Sequence, residues 1–460
     1  MAKCGELSGM WPTYLAVQLL TFFSDFSLYP CTKCSFQRHQ YYSMLSAGDF
    51  DGLRISLFET YLSYIPYMRT KTKQYFPEME NAIFFDEYQS VIGNTHAQNY
   101  GCTRNNSAYP ISYSQDVWNG YNWQGALDLS KMMLDYFSHT GDEDFLGICM
   151  ELIVGNLNFY RQRWTRRTVE GKIIMFPTQS IETYQCKEYF SQHDDIDDGN
   201  NCPTNDTPTV SGLRSVLETI FNVPTETLAR VGIDAEKLDD FKKFYDEIPI
   251  VPLETIIDDA TNETLWTIRP CETCSMDASN VENPELYAVH PYFLYTAGEL
   301  NNAEHPLTRE NLQIAVNAFN NVKNPGDTGW NQMAMDAALL GLGLKAQELV
   351  TARAASDPAP GYRFEGFMPH EFDYDPSSDH MGVFSAALQY MLVQTANDVH
   401  NTITLLPSWP CSWDVDFRIF TKKETVIEGS IKNGTLIGDL VVTPEERREN
   451  IVFGQCQLQA

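Results

Sequence analysis

The 460-residue sequence predicts a mainly α protein assembled from repeated helix pairs, with a small β appendage at its C-terminus. Three observations predict it. The same break in helical patterning occurs twice, at Ala47-Gly48-Asp49-Phe50-Asp51-Gly52-Leu53 and at Thr140-Gly141-Asp142-Glu143-Asp144-Phe145-Leu146. Helical periodicity recurs through most of the chain between Tyr41 and His400. Beyond Leu405 it gives way to alternating runs, Val426-Ile427-Glu428 and Leu436 to Val442, on either side of Asn433-Gly434. Asn-Gly between two such runs is a strong short-range hairpin signal.

The first segment, residues 1–36, has no clear partner elsewhere in the chain. At the first break Gly48 supplies the left-handed residue that ends one helix, and Asp49 caps the next. Each break is thus the corner of an αα-hairpin. The helix before the second corner keeps Trp123, Ala126, Leu127, Ser130, Leu134 and Phe137 on one face. The helix after it runs to about Arg166 with Leu152, Leu157 and Phe159 inside. Gly171 to Pro177 reads as a short strand. Glu188 to Asp206 reads as a solvated acidic loop, since its Asp194, Asp195, Asp197 and Asp198 do not fit the EF-hand order. Helices come next near 210–222 and 235–246. Pro249 and Pro252 open an extended stretch to Trp266, and helices resume at 285–297, 308–322, 329–342, 344–356 and 380–398. The total is roughly twelve helices, or six hairpins.

Composition bounds the partners. Hydrophobic residues make up 43% of the chain, enough for a sizeable core, and aromatics are plentiful with 24 Tyr, 26 Phe and 8 Trp. The formal net charge of −29 repels phosphate backbones and anionic lipid, which excludes nucleic acid and membrane surfaces as partners. A neutral ligand is indifferent to that field. Among the 11 cysteines, Cys31/Cys34 and Cys271/Cys274 form CxxC pairs, too far apart for a zinc ribbon. Free thiols with a disulfide such as Cys186–Cys202 are expected instead. Sequons begin at Asn105, Asn205, Asn262 and Asn433, and the apolar Tyr14 to Phe23 is a weak leader too short to span a bilayer. The compartment is open between extracellular space or an endomembrane lumen and, alternatively, the cytoplasm.

Two carboxylates stand out. Asp379 lies at or just before the N-terminus of a helix on which Phe384, Ala387, Leu388, Met391 and Leu392 share an apolar face. Free N–H groups and the helix dipole favour its ionised form, which suits a general base as well as a plain N-cap. Glu182 lies on a loop among Phe176, Pro177, Ile181 and Tyr184. A capping box requires Ser or Thr three places earlier, where Gln179 stands, so that motif does not account for it. Partial burial there raises a carboxyl pKa, as a general acid needs, whereas an exposed loop Glu needs no function. One acid biased to stay protonated and one biased to stay ionised is the chemistry of glycoside hydrolysis. Trp118, Trp123, Trp330, Trp409 and Trp413 offer sugar-stacking faces, one or two of which are expected to face a ligand. Asp373, Asp375 and Asp379 are alternatively ligands for a hard cation such as calcium. His290 and His380 are lone candidates for a hydroxyl contact. P-loop, dinucleotide, GxSxG and HExxH signatures are absent.

Five pieces then resemble the six-hairpin glycosidases, and in particular the inverting α-L-fucosidases of glycoside hydrolase family 95 and a neighbouring bacterial domain of unknown function. Asn119 to Leu146 is similar to the hairpin after the family's first conserved helix. Pro177-Thr178-Gln179-Ser180-Ile181-Glu182 resembles its P-x-x-S-x-E, whose Glu is the general acid. Gly329-Trp330 and the Ala-rich helix to Ala346 resemble its GW helix. Asp379 stands twelve residues before Met391, the interval of the family's D-G-N-F-G motif, and Leu405 to Pro410 matches the entry to its C-terminal β domain. The resemblance covers roughly residues 37 to 452 and rests on the order and spacing of motifs that are individually short.

The resemblance implies an (α/α)6 toroid over 37–401 with a small C-terminal β domain over 402–460. It implies inverting hydrolysis of a glycosidic bond in an oligosaccharide or polysaccharide, with Glu182 as acid and Asp379 as base, without cofactor or metal. Inversion requires their carboxyl groups roughly 6.5–9.5 Å apart. Trp118, Asn122, Trp123, Gln179, Trp330, Asp373, His380 and Trp409 are the expected substrate contacts. The departures are specific. The family's water-positioning Asn pair has no counterpart in Cys34 to Tyr42, which holds Gln37, Arg38 and His39. His380-Met381 replaces Gly-Asn, and the N-terminal β-sandwich is missing, which implies a truncated N-terminal part. The alternatives are a non-catalytic carbohydrate-binding or scaffold remnant, and a polysaccharide lyase, against which the scarcity of Arg and Lys argues.

Overall fold

The computed structural model describes residues 32–33, 38–84, 88–89, 120–186, 202–258, 261–274, 276–326, 328–355 and 378–454. The protein is mainly α, with thirteen α-helices and several small sheets among the described residues. Both predicted corners form. Helix α1 (Tyr42–Ala47) ends at Gly48, whose φ of 77° is left-handed, and Asp49 accepts the Gly52 N–H to start α2 (Phe50–Leu53). A π turn, Arg54–Phe58, leads into α3 (Glu59–Ser63) and then α4 (Ile65–Tyr75). Helix α5 (Gly125–Thr140) ends at Gly141 with φ 65°, and Asp142 accepts the Phe145 N–H at 2.9 Å to start α6 (Glu143–Arg163). The remaining helices are α7 (Thr207–Phe221), α8 (Thr225–Arg230), α9 (Ala235–Glu247), α10 (Arg309–Asn320), α11 (Met333–Leu339), α12 (Gly343–Ala354) and α13 (Ser378–Leu392).

Burial sorts these helices. Every residue from Gly125 to Tyr136 in α5 and every residue of α11 is buried, so both are enclosed on all faces. Helix α9 buries only Phe241 and Phe244 and is amphipathic, a surface element. Helix α5 packs against α1, α6 and α7, and α7 packs against α9 and a 3-10 turn at Pro284–Ala288. That turn meets α10, α10 meets α11, and α11 packs against α12 and α13. Helix α13 packs in turn on α1 and on the 3-10 turn Arg38–Gln40. Its buried face is Asp379, Val383, Ala386, Ala387 and Met391, so it is rotated from the expected stripe, and Phe384 and Leu388 are only partly covered.

The C-terminal hairpin forms as expected. Val415–Thr421, Thr425–Lys432, Thr435–Leu436 and Val441–Thr443 make one antiparallel sheet, turned at Asn433 (φ 48°) and Gly434 (φ 69°) between paired Lys432 and Thr435. Two positive φ values define the turn that Asn-Gly favours. The strand from Val415 docks on the first corner. A side chain at Gly48 would collide with the Phe420 ring at 2.5 Å. A second sheet orders Ile451–Phe453, Ile403–Leu405 and Val393–Thr395, so the strand that follows α13 pairs with the C-terminal strands.

Several expected elements are corrected. Gly171 to Pro177 is not a strand: only Ile173 makes a bridge, with Arg167, and Met175 instead exchanges hydrogen bonds with Asn205. The helix expected at 285–297 is a 3-10 turn that stops at Ala288, because Pro291 disfavours a helical His290 and Phe293 is left-handed at φ 55°. The helix expected to reach 398 stops at Leu392, where Val393 and Thr395 join the second sheet. The acidic loop ends earlier than Asp206, which lies in a strand, Thr204–Asp206, and caps α7 through the Thr209 N–H at 2.9 Å. Cys186–Cys202 is disulfide-bonded, and so is Cys271–Cys274. Asn205 is buried and bonded to Glu272, so its sequon is closed, whereas Asn262 and Asn433 are exposed. Asn105 and the acidic residues of 194–198 lie outside the described residues. Among the described residues no helix is long and apolar enough to cross a membrane.

Candidate functional site

Glu182 sits at the tip of a tight turn closed by reciprocal backbone hydrogen bonds of 3.1 Å between Ser180 and Tyr184. Ile181 in that turn has φ 46°, a rare conformation for a β-branched residue and a local strain of the sort found at functional positions. The turn is tied to residues 270–283. Ser180 Oγ donates to the Pro270 carbonyl at 2.7 Å, Thr183 Oγ1 donates to the Glu282 carbonyl at 3.1 Å, and Asn280 Nδ2 donates to Glu182 Oε2 at 3.0 Å. The residue is 6% exposed, so it is more deeply buried than a loop Glu would be.

Asp379 is the second residue of α13 and is 1% exposed. Its Oδ1 lies 3.8 Å from Nδ1 of His39, on the Arg38–Gln40 turn. Burial, followed by the fields of Arg38, His290 and Arg353, lowers the His39 pKa well below the ordinary value, so the imidazole is neutral at physiological pH. Neither ring nitrogen has a hydrogen-bond partner among the described residues. His39 occupies the stretch in which sequence reasoning found only the missing Asn pair. The signal was there, a His replacing Asn near the first helix, but nothing in the sequence linked it to a residue 340 positions away.

His380 points elsewhere. Its Nδ1 accepts the Gly329 N–H at 3.2 Å and its Nε2 donates to the Arg353 carbonyl at 3.0 Å. Burial and the nearby Arg353 push its pKa down to about 4. It is a neutral tie between α12, α13 and Gly329. Arg353 donates to the Gly329 carbonyl at 3.0 Å and the His380 carbonyl at 3.0 Å, reinforcing the same junction.

The other expected contacts divide. Trp330 lines a small cavity of about 20 Å³ together with Glu282, Asn283, Tyr287, His290 and Gln332. Neither acid lines it, but the residue after each is tied close to its wall: Thr183 donates to the carbonyl of Glu282, which lines it, and His380 accepts the N–H of Gly329, which precedes Trp330. Gln179 is wholly buried. Its carbonyl accepts from Gln124 Nε2 at 2.7 Å, which fastens the Glu182 turn to the start of α5. Trp123 is core rather than platform, packed against Phe84, Phe159 and Trp164 with ring centroids 5.2–6.2 Å away. Asn122 is buried beside it. Trp409 packs edge-on against Trp413 and donates to the Trp413 carbonyl at 3.1 Å, at the entry to the C-terminal strands. Trp118, Asp373 and Asp375 lie outside the described residues.

Beneath the small cavity lies a polar layer that sequence reasoning missed. Arg38 is ion-paired with Asp128 of α5 and bonded to Tyr287 Oη, all three buried. His290 Nδ1 meets Gln332 Oε1 at 2.7 Å and its Nε2 faces Tyr390 Oη at 3.4 Å. Burial lowers its pKa to about 3. Asp206, at the base of the Glu182 turn, bonds Gln124 Nε2 at 3.0 Å, and burial raises its pKa to about 6. No family model and no curated protein matches this chain.

Proposed function

We propose that the protein is an inverting glycoside hydrolase acting on a neutral oligosaccharide or polysaccharide. Glu182 is the general acid that protonates the leaving oxygen, and Asp379 is the general base that activates water. The observation that carries this reading is the contrast between two buried carboxylates. Glu182 is held by a neutral amide, Asn280, at the tip of a strained turn, and Asp379 lies in the first turn of α13 beside a neutral His39. Burial without a helix terminus favours the protonated acid, and a helix N-terminus favours the ionised base. His39, whose Nδ1 lies 3.8 Å from Asp379 Oδ1, positions that carboxylate.

The helix packing supports an (α/α)6 toroid. The contacts run from α1 to α5, α7, the Pro284–Ala288 turn, α10, α11, α13 and back to α1, a closed circuit, while α9 lies outside it. In this reading residues 37–401 form the toroid and 402–460 the C-terminal β domain. The two disulfides support an extracellular or endomembrane-lumen location.

The test is a panel of aryl glycosides and plant or algal oligosaccharides, with the product anomer followed by NMR. Hydrolysis with inversion is expected, and Glu182→Gln is expected to lower kcat by about 10²–10⁴-fold. A variant that binds sugar as tightly as the parent protein while neither turns any over identifies a binding remnant. An unsaturated product absorbing in the ultraviolet identifies a lyase.

A further inference from the structure

Asn280 Nδ2 donates to Glu182 Oε2 at 3.0 Å, and the partners of the amide allow it only one orientation. Its Oδ1 accepts the Val281 N–H at 2.8 Å. A backbone N–H only donates, so the end of the amide facing Val281 is the oxygen and the end facing Glu182 is the nitrogen. Glu182 Oε2 therefore accepts a hydrogen bond from a neutral donor whose direction is fixed.

The backbone that carries this amide is clamped on both sides. The Ser279 N–H donates to the Thr183 carbonyl at 2.7 Å, and Thr183 Oγ1 donates to the Glu282 carbonyl at 3.1 Å. Asn280 thus stands between two bonds to the residue that follows Glu182. From the other direction Asn324 Nδ2 donates to the Asn280 carbonyl at 3.4 Å, and Asn283 Nδ2 donates to the Asn324 carbonyl at 3.1 Å. These bonds hold the loop without the Asn280 side chain. The bond from Nδ2 to Glu182 is an addition to them, made from a rigid base, which is what a group that must aim another group requires.

The kind of donor matters for an acid. A protonated carboxyl group has one O–H and one carbonyl oxygen, and the carbonyl oxygen is the better acceptor. A donor fixed on Oε2 makes that atom the carbonyl oxygen and leaves the proton to Oε1. Lys or Arg could take Oε2 as well, but the positive charge would hold the group ionised and without a proton to give. An amide directs the proton and adds no charge. We propose that Asn280 is a positioning residue for Glu182: it occupies Oε2 and so assigns the transferred proton to Oε1. The proposal rests on the reading of Glu182 as the general acid. In the transfer the Oε1–H bond breaks and the proton goes to the glycosidic oxygen. That oxygen keeps the electron pair of its breaking bond to the anomeric carbon, where water adds and gives its own proton to Asp379. Glu182 is left ionised, still bonded to Asn280 through Oε2.

The test combines kinetics and infrared spectroscopy on the full chain. Asn280→Ala removes the amide, and Asn280→Asp keeps its shape but has no donor at neutral pH. The substrates are the dinitrophenyl and methyl glycosides of a sugar that the parent protein hydrolyses. Dinitrophenolate leaves as a stable anion and hardly needs an acid, whereas methoxide needs one fully. Both variants are expected to lose about 10- to 100-fold in kcat on the methyl glycoside and less than about threefold on the dinitrophenyl glycoside, with KM little changed. A residue that only supported the fold would lower both rates alike, so equal losses overturn the proposal, and so does an unchanged rate on the methyl glycoside. A parent protein that hydrolyses neither substrate refutes the general-acid reading instead, and the infrared measurement then decides on Asn280 by itself. The C=O band of protonated Glu182 is isolated by subtracting the spectrum of Glu182→Gln in the same background. It is expected at higher frequency in both variants than in the parent, because a C=O that loses a hydrogen bond stiffens. A band that stays in place overturns the proposal whatever the kinetics show.

Discussion

His39 Nδ1 and Asp379 Oδ1 are 3.8 Å apart, and their side chains are 2% and 1% exposed. The pairing depends on a third residue. Gly382 lies three positions after Asp379 on α13, and a Cβ there would be 2.3 Å from the His39 carbonyl oxygen. The obstacle is backbone, which cannot swing aside as a side chain does. Gly382→Ala is therefore expected to cost about 1–3 kcal/mol, the usual range for overpacking. Urea melts measure the loss, and a variant as stable as the parent would show that helix and turn are not in such close contact.

The same pair predicts a graded response at position 39. His39→Ala removes the polar group beside Asp379, while His39→Asn keeps a neutral donor and acceptor of similar reach. In the proposed hydrolase, the Ala variant is expected to lose about 10²-fold in kcat and the Asn variant to recover part of it, with KM little changed in both. Equal losses from both substitutions would mean that His39 serves packing alone.

Arg38 and Asp128 form a buried ion pair in the polar layer beside the small cavity. Burial raises the Asp128 pKa while Arg38 opposes the rise, so removing the cation leaves an acid with nothing to balance it. Arg38→Met or Asp128→Leu alone is expected to cost about 3–5 kcal/mol, and the double variant much less than the sum. A double-mutant cycle by chemical denaturation checks this. Additive losses would show that the two side chains are not coupled.

What the sequence disclosed, and what it did not, depends on the range of the interactions involved. Gly48–Asp49 and Gly141–Asp142 were legible because a left-handed glycine and the cap after it are settled within four residues. Asn433-Gly434 was legible for the same reason. The strand expected at Gly171 to Pro177 failed because its backbone partners, Asn205 and Glu247, come from distant segments. Asp206 caps a helix whose start Thr207-Pro208 marks locally, but the acidic run before it carries the stronger signal of a loop. The polar layer of Arg38, Asp128, Tyr287 and His290 was not legible, since its members lie on separate elements with no shared period.

The Cys186–Cys202 bridge closes the chain a few residues beyond Glu182, with a sequence separation of 16 between its ends. A loop of that length gives a stabilisation of about 3 kcal/mol in the chain-entropy account. The paired variant Cys186→Ala/Cys202→Ala is expected to lose about that much. The loss should be greater than that of the paired variant Cys271→Ala/Cys274→Ala, whose bridge spans a separation of only 3. Thermal melts of the two paired variants compare them, and the reverse order would show that entropy of the unfolded chain is not the controlling term.

His290 gives a pH dependence with a definite sign. Its imidazole is 1% exposed and its pKa is lowered to about 3, by burial first and then by the fields of Arg38 and Lys131, against the opposing bond to Gln332. The folded value lies below the unfolded value of about 6.5, so the unfolded chain takes up the proton first as pH falls. Stability from this group is full above about pH 6.5 and is lost below it at about 1.4 kcal/mol per pH unit, until the folded protein protonates too. Asp206 and Glu285 act in the opposite sense, because burial raises their pKa values to about 6 and about 7. The total slope therefore mixes signs, and the informative quantity is the difference between the parent chain and His290→Gln. Between about pH 4 and 6 the parent is expected to lose about 1.4 kcal/mol per unit more than the variant as pH falls, measured by urea denaturation at each pH. Parallel curves would mean that His290 titrates in the folded protein as it does in the unfolded one, and the buried neutral imidazole would have to be abandoned.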